Sequence, residues 1–475
     1  MRSISRLLSI VLMLVGTQRL AAADRPNILF IIADDQSFQT IGALGYTDIE
    51  TPNLDRLVKR GTTFTQARNM GSFHQAVCVA SRAMLMTGRS LWRASALYEL
   101  ADQERQAGRL WPQRMEHQGY ATYFTGKWHV TTDVARVFNQ TKGLRAGMPK
   151  ETAAGYNRPL PGQPDLWSPD DPKFGGYWEG GRHWSETLAD DVIEFFGRTK
   201  QSKQPFFLYA AFNAPHDPRQ SPRACLDRYP LQRIAVPKSF LPVYPYLEQI
   251  GCGTDKRDEK TAPFPRTEQI VKVHRQEYYA IITHMDAQIG RILDALDQSG
   301  QADHTWIMFT ADHGLAVGQH GLMGKQNMYE HSLRVPFIIT GPDAPRDVRL
   351  DTPIYLQDAM ATALAIAGAP LDPEIEFQSL LPLLRGEPPA VARHAMYGAF
   401  LDLQRAVVHD GWKLIHYPKA GVNRLYHLAS DSEELHDLAN DPAQAERIRT
   451  LGRQLRRLQQ ELADPLDLAA QFPND

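Results

Sequence analysis

Ile28-Leu29-Phe30-Ile31-Ile32-Ala33-Asp34-Asp35 is an apolar run of strand length that ends in two adjacent carboxylates. Four later stretches repeat the design: Ala121 to Thr125, Phe206 to Phe212, Thr305 to Thr310 and Val335 to Thr340. Each is rich in Ile, Val, Phe or Tyr and bounded by polar residues, Gly or Pro, the signature of buried strands, and all five are read as parallel. The segments between them change period. Tyr279, Ile282, Met285, Ile289, Leu293 and Leu296 recur by threes and fours and form one apolar helix face. Strands alternating with helices predict a doubly wound α/β sheet covered on both faces.

Ionisable residues follow these runs. Lys127 and His129 come after the second, His216 after the third, and Asp312 and His313 after the fourth. In open α/β sheets ligands bind beyond the carboxyl ends of the strands, so these residues share one rim. Asp34 and Asp35 repel each other unless a cation lies near. With Asp312 and His313 they make a hard, oxygen-rich set with one imidazole, which suits Ca2+, Mg2+ or Mn2+ better than a closed zinc site. One Asp at such a place is ordinarily a helix cap; the set carries the signal.

The chain has 475 residues, 43% hydrophobic and 22% charged, which predicts a globular protein with one large and one smaller domain. Residues 1–23 read as a signal peptide: Arg2 and Arg6, a short apolar core from Leu7 to Val15, and the small residues Ala21-Ala22-Ala23. Export follows, to a periplasm or the medium, with no membrane attachment after cleavage because no other segment is long and apolar enough to span. Removing that leader deletes three arginines and no acids, taking the formal net charge from -2 to -5. No basic stripe is present, so no nucleic-acid partner is expected. The large domain is assigned to residues 24–390.

Residues 131–190 and 217–270 are rich in Pro, Gly and aromatics without clear periodicity and are read as long loops on the rim. Trp167, Trp178 and Trp184 fall there beside Tyr177, Arg182 and His183; such rings either stack on sugars or pack the loop itself. A smaller α+β subdomain is assigned to residues 391–475. Ala395 to Phe400 and Ala406 to Tyr417 read as antiparallel strands with Asp410-Gly411 as a turn, and Pro442 to Leu462 as a closing helix.

There are three cysteines. Cys225 and Cys252 share one Pro-rich stretch, and an oxidising compartment permits them to pair, leaving Cys78 over. A lone cysteine is ordinarily a small buried hydrophobe. Cys78, however, opens Cys78-Val79-Ala80-Ser81-Arg82, and the apolar run after Arg82 is helical in character. That places the thiol at a helix N-terminus, where backbone N–H groups favour an anion and a nucleophile.

Cys78-x-x-Ser81-Arg82 followed by Thr87-Gly88-Arg89 resembles the formylglycine signature of type I sulfatases, in the alkaline phosphatase superfamily. The resemblance extends through Arg25-Pro26-Asn27-Ile28, Thr51-Pro52-Asn53-Leu54-Asp55-Arg56-Leu57, Gly126-Lys127-Trp128-His129, Ala214-Pro215-His216, Thr310-Ala311-Asp312-His313-Gly314 and Gly324-Lys325. Gly411-Trp412-Lys413-Leu414-Ile415 and Leu425-Tyr426 to Pro442 are similar to the family's C-terminal part. Ala80 stands where most members have Pro. The resemblance implies a large doubly wound mixed sheet, a small C-terminal antiparallel sheet with a helix, and a maturation enzyme that oxidises Cys78 to an aldehyde.

It also implies roles. One Ca2+ would be held by Asp34, Asp35, Asp312, His313 and the converted side chain of Cys78. Arg82 and Lys127 would steady the nucleophile, and Lys325 would grip sulfate. His216 would protonate the departing alcohol. His129 would take a proton from the second hydroxyl of the hydrated aldehyde, expelling sulfate and restoring the aldehyde. Asn213 and Asp217 are weaker candidates for the substrate pocket, and His320 and His331 for the rim. With Cys78 so committed, a Cys225–Cys252 disulfide is expected. A sulfated carbohydrate is the expected substrate. Two other readings stay open here: a phosphonate monoester or phosphodiester hydrolase with the same nucleophile, and a non-catalytic carbohydrate-binding relative.

Overall fold

The computed structural model describes residues 25–150, 152–370 and 372–473; the signal peptide expected over residues 1–23 lies outside them. The main sheet is built from β1 (Asn27–Ala33), β2 (Thr62–Phe64), β4 (Ala121–Lys127), β5 (Gln140–Arg145), β6 (Phe206–Ala211), β7 (Thr305–Ala311), β8 (Phe337–Thr340) and β9 (Val348–Leu350). Its spatial order is β9-β2-β8-β7-β1-β6-β4-β5. The apolar runs of β1, β6 and β7 are buried at every residue, as a sheet covered on both faces requires.

The run at Val335 to Thr340 departs from expectation: β8 pairs antiparallel with β7 and with β2, so the sheet is mixed. A buried central strand carries no directional signal in its composition. β5 is a second departure, since the stretch after residue 131 contains an edge strand pairing parallel with β4. Its mostly half-exposed residues, Gln140 to Arg145, offer no apolar run to read.

Helices cover the sheet: α1 (Pro52–Arg60), α2 (Val77–Thr87), α3 (Trp184–Thr199) and α4 (Glu268–Ser299). Tyr279, Ile282, Met285, Ile289, Leu293 and Leu296 are buried along α4, as the spacing predicts. Thr267 caps its start by accepting from Ile270 N, and Gly300 in the left-handed region ends it. No helix among the described residues is long and apolar enough to cross a membrane.

The C-terminal sheet has the order β13-β12-β11-β10-β3, from β10 (Ala395–Phe400), β11 (Gln404–His409), β12 (Trp412–Tyr417), β13 (Val422–His427) and β3 (Gly71–Ser72). The Asp410-Gly411 turn has positive φ at both residues, 48° and 75°, the geometry a two-residue hairpin favours. The closing helix α5 (Ala445–Glu461) packs on this sheet after a short 3-10 turn at Pro442–Gln444. β3 comes from the N-terminal part of the chain, a few residues before Cys78, and pairs parallel with β10. Gly71 makes this contact available: at φ +88° any Cβ would lie 1.9 Å from Ala399 O.

A buried charged network joins the same two regions. Lys413 on β12 lies 3.1 Å from Glu330 and 2.9 Å from Glu434, and Arg68 clasps Glu330 from the other side at 2.7 Å. All four side chains are buried.

Candidate active site

Register brings the carboxylates together. Ala33 pairs with Ala311 across β1 and β7, so Asp34 and Asp312, the next residues, leave the sheet side by side. Asp312 N donates to Ala33 O and Asp34 N to Ala214 O, both at 3.1 Å. β4 delivers Lys127 beside them after a bulge at Gly126, where φ is +101° and a Cβ would sit 1.9 Å from Ala211 O. Lys127 Nζ then donates to Asp34 Oδ2 at 2.5 Å. Asp35 (φ 73°) and His129 (φ 58°) are also in the left-handed region, strain that persists where surrounding structure imposes it.

α2 enters this rim by its N-terminus. Cys78 is its second residue and Arg82 lies one turn on, so both side chains share a face. Arg82 Nε donates to Asp312 Oδ2 at 3.1 Å, and its Nη1 to Lys127 O at 2.6 Å. Cys78 Sγ is 3.2 Å from His129 Nδ1. Ligand atoms of Asp34, Cys78, Asp312 and His313 all lie within 4.8 Å of one another. Asp35 adjoins them: Lys325 Nζ donates to both its oxygens at 2.8 Å, and His313 Nε2 is 3.1 Å from Oδ1. His216 Nε2 is 3.8 Å from Asp35 Oδ2. Every residue to which the resemblance gives a catalytic or metal-binding role is therefore in one cluster.

The donor set fits a divalent cation. Asp34 Oδ1 and His313 Nε2 are buried without a hydrogen-bond partner. His313 Nδ1 lies 2.7 Å from Gly314 O, which can only accept, so Nδ1 carries the hydrogen. Asp35 and Asp312 raise the pKa of this ring against its burial, so without a cation it pairs with the carboxylates as a charged group; a cation taken up by the set would be met by the neutral form, through the Nε2 lone pair. Burial raises the Asp34 pKa well above the usual carboxylate value, and Asp312 adds to it against Lys127. Burial also raises Asp35, opposed by Lys325 and His313. For Asp312, His313 and Arg82 outweigh burial and hold the group ionised. Buried carboxylates that crowd in this way are satisfied by a cation.

The thiol environment is equally unusual. Burial pushes the Cys78 thiol up, but Lys127, Lys325 and the adjacent His129 and His313 outweigh it and hold it well below the ordinary thiol value. His216 is held neutral by burial and by Lys325, Lys127 and Arg257.

Other expected residues fall elsewhere. His320 and His331 stack on Tyr329, near the buried Lys413, and touch none of the cluster residues. Asn213 anchors loops, its carbonyl accepting from Tyr177 and its amide donating to Ala146 O. Asp217 stays close: its Oδ1 is 3.2 Å from His216 Nδ1, and Tyr156 donates to its Oδ2. The tryptophans pack the loop rather than face solvent as a platform. Trp167 is buried against Phe174, Trp178 meets His183 and Trp184 meets Tyr177. Cys225 and Cys252 are unbonded, because the chain sends them to different apolar clusters. Cys252 instead donates to Gln326 O. A cleft of about 720 Å³ lined by Arg158, Trp167 and Glu277 holds none of the cluster residues.

Sequence reasoning missed Arg257. Its Nη2 is 3.4 Å from His216 Nε2, and no spacing motif marks it.

Comparison with known proteins agrees with this geometry. A family model described as "Sulfatase" matches residues 26–369, and one described as "N-sulphoglucosamine sulphohydrolase, C-terminal" matches residues 318–461. The chain is 27% identical to a "Sulfatase" of Formosa agariphila, covering 88% of this chain and 84% of that protein. It is 24% identical to an "N-acetylglucosamine-6-O-sulfatase" of Bacteroides thetaiotaomicron, covering 93% and 87%. Among solved structures, a protein in complex with its substrate D-glucosamine-2-N,6-O-disulfate superposes with TM-score 0.69 at 21% identity, covering 93% and 99%. A phosphonate monoester hydrolase of Agrobacterium radiobacter does so with TM-score 0.70 at 20% identity, covering 92% and 96%; both likenesses concern the fold. With a sulfatase model matched over residues 26–369 and a buried cysteine–carboxylate–histidine cluster at the strand ends, this chain belongs to the sulfatase family of sulfuric ester hydrolases.

Proposed function

We propose that the chain is an exported sulfatase that removes sulfate from a carbohydrate, using formylglycine made from Cys78 and one bound Ca2+. The observation that carries this reading is the convergence of Cys78 with Asp34, Asp312 and His313 within 4.8 Å. The cation would be held by Asp34, Asp35, Asp312, His313 and the side chain of residue 78. Its contribution would be to neutralise the sulfate oxygens and to acidify the attacking hydroxyl. The hydrated aldehyde supplies two hydroxyls on one carbon, one to attack sulfur and one to give up its proton.

The chain's own residues account for the proton movements. His129 Nδ1, 3.2 Å from the atom that stands where a hydroxyl would be, accepts the proton of the second hydroxyl. Loss of that proton drives cleavage of the carbon–oxygen bond and frees sulfate. His216 Nδ1 donates to Asp217 O at 2.8 Å, so Nε2 is the nitrogen left to serve the departing alcohol; the free ring is neutral and must first take up a proton at Nε2, which the negative charge of a bound sulfate ester favours, before it can act as the acid. Arg82 and Lys127 fix Asp312 and Asp34, and Lys325 places a cation against developing negative charge. Cys78 itself has no second hydroxyl, so a thiol ester of sulfate would lack this exit.

The carbohydrate class draws support from the relative that acts on N-acetylglucosamine 6-O-sulfate. Export rests on the leader-like pattern of residues 1–23 and implies maturation by a formylglycine-generating enzyme. The test is turnover by matured protein of defined sulfated mono- and oligosaccharides beside aryl phosphate and phosphonate esters. Preferential desulfation supports the proposal. Phosphonate cleavage with no desulfation would replace it with a phosphonate monoester hydrolase.

A further inference from the structure

Arg257 lies in the loop between β6 and α4 and returns to a residue 41 positions earlier, His216. Its orientation is fixed from one side. Asp258 Oδ1 accepts from Arg257 Nε at 2.8 Å and from Nη2 at 2.5 Å. Asp258 is itself buried, and its other oxygen accepts from Gln326 Nε2 at 2.8 Å, next to Lys325. Gln326 also donates to Gln75 O, three residues before Cys78. The clamp is thus built into the rim of the cluster.

A guanidinium has five N–H donors in a planar fork. Two of those on Arg257 are spent on Asp258. Among the described residues the remainder meet only Met148 Sδ, a weak acceptor, and His216 Nε2 at 3.4 Å. The side chain is 35% exposed, so this edge is open to a ligand. Asp217, the other nearby carboxylate, is already engaged by Tyr156 and His216. A fork held on one edge and unmet by oxygen on the other is suited to a planar or tetrahedral oxyanion.

Its position says where on the substrate that oxyanion lies. Arg82, Lys127 and Lys325 gather around Asp34, Asp35 and Asp312, the side of the sulfate that is transferred. Arg257 stands instead beside His216, the side of the departing alcohol. We propose that Arg257 is a specificity-determining residue that binds a second oxyanion, a carboxylate or a further sulfate, carried on the sugar whose hydroxyl departs. This rests on the sulfatase reading and on His216 as the acid for that hydroxyl.

The experiment compares kcat/KM of matured wild type, Arg257→Gln and Arg257→Lys on three probes. These are a neutral monosulfated sugar, the same sugar with a second sulfate, and a monosulfated uronic acid. The wild type is expected to prefer at least one doubly charged probe over the neutral one. In Arg257→Gln that preference falls on the order of tenfold or more, expressed mainly in KM, as loss of charge-assisted hydrogen bonds to an anion requires. Arg257→Lys retains part of it. The arm that falls identifies the oxyanion as sulfate or carboxylate. If both variants lose activity equally on all three probes, Arg257 is only structural and the proposal is wrong. A wild type without preference for either charged probe also overturns it. Failure of the wild type to cleave any of the three overturns the carbohydrate-sulfate reading on which the proposal rests.

Discussion

Replacing Glu434 with glutamine should change how stability depends on pH, and the direction follows from where the carboxyl sits. Glu434 is buried, accepts from Glu330 N at 2.7 Å and lies 2.9 Å from Lys413 Nζ. Burial raises its pKa to about 7; Lys413 opposes the shift and Glu330 adds to it. The unfolded chain has the ordinary value near 4.5. A pKa raised by folding stabilises fully below the unfolded value and is lost as pH rises through the folded one. Between pH 4.5 and 7 the wild type therefore forgoes about 3 kcal/mol at 1.36 kcal/mol per pH unit. Glutamine does not ionise and forgoes none of it. Unfolding entropy of about 2.1 cal/mol/K per residue over about 450 residues converts this to roughly 3 °C. Thermal unfolding of both proteins in matched buffers from pH 4.5 to 8 is the assay. The variant's Tm relative to wild type should rise by about that amount across the range. A difference that stays constant with pH would refute the reasoning, whatever its size.

Asp312→Ala should abolish both activity and stoichiometric metal, leaving Arg82 without its carboxylate partner; elemental analysis showing unchanged metal content would contradict the ligand assignment. His129→Ala should lower kcat by about 10²- to 10⁴-fold, the range for a proton-transfer residue, while sulfate accumulates covalently on the enzyme; a variant that keeps wild-type kcat removes His129 from the mechanism. Thiol titration of the denatured, matured protein without reductant should detect Cys225 and Cys252; thiols that appear only after reduction would restore the disulfide.

Much of this was legible because strand ends are readable. The run Ile28 to Ala33 gives β1, and the two acids after it can point only to the rim. Thr305 to Ala311 gives β7 and places Asp312 and His313 at the same level, which the Ala33–Ala311 pair realises. What was not legible depends on direction or on return of the chain. A buried run such as Phe337–Thr340 reads the same for either strand direction, and its antiparallel pairing is set by neighbours far away in sequence. Counting cysteines suggested a bond that packing forbids, since Cys252 belongs to the apolar cluster of Tyr244 and Tyr417 while Cys225 packs against a different one, that of Tyr229 and Tyr279. The aromatic loop was ambiguous because composition does not distinguish a ring that packs its own loop from one that faces a ligand; Trp167 on Phe174 resolves it. Arg257 gained meaning only when a loop without periodicity folded back onto His216.

The central claim is that residue 78 acts as formylglycine, and mass spectrometry of the peptide spanning it in active protein tests this most directly. The account predicts an aldehyde at residue 78, with specific activity rising in proportion to the converted fraction when a maturation enzyme is co-expressed. Fully active protein with an intact, alkylatable thiol at Cys78 would contradict it.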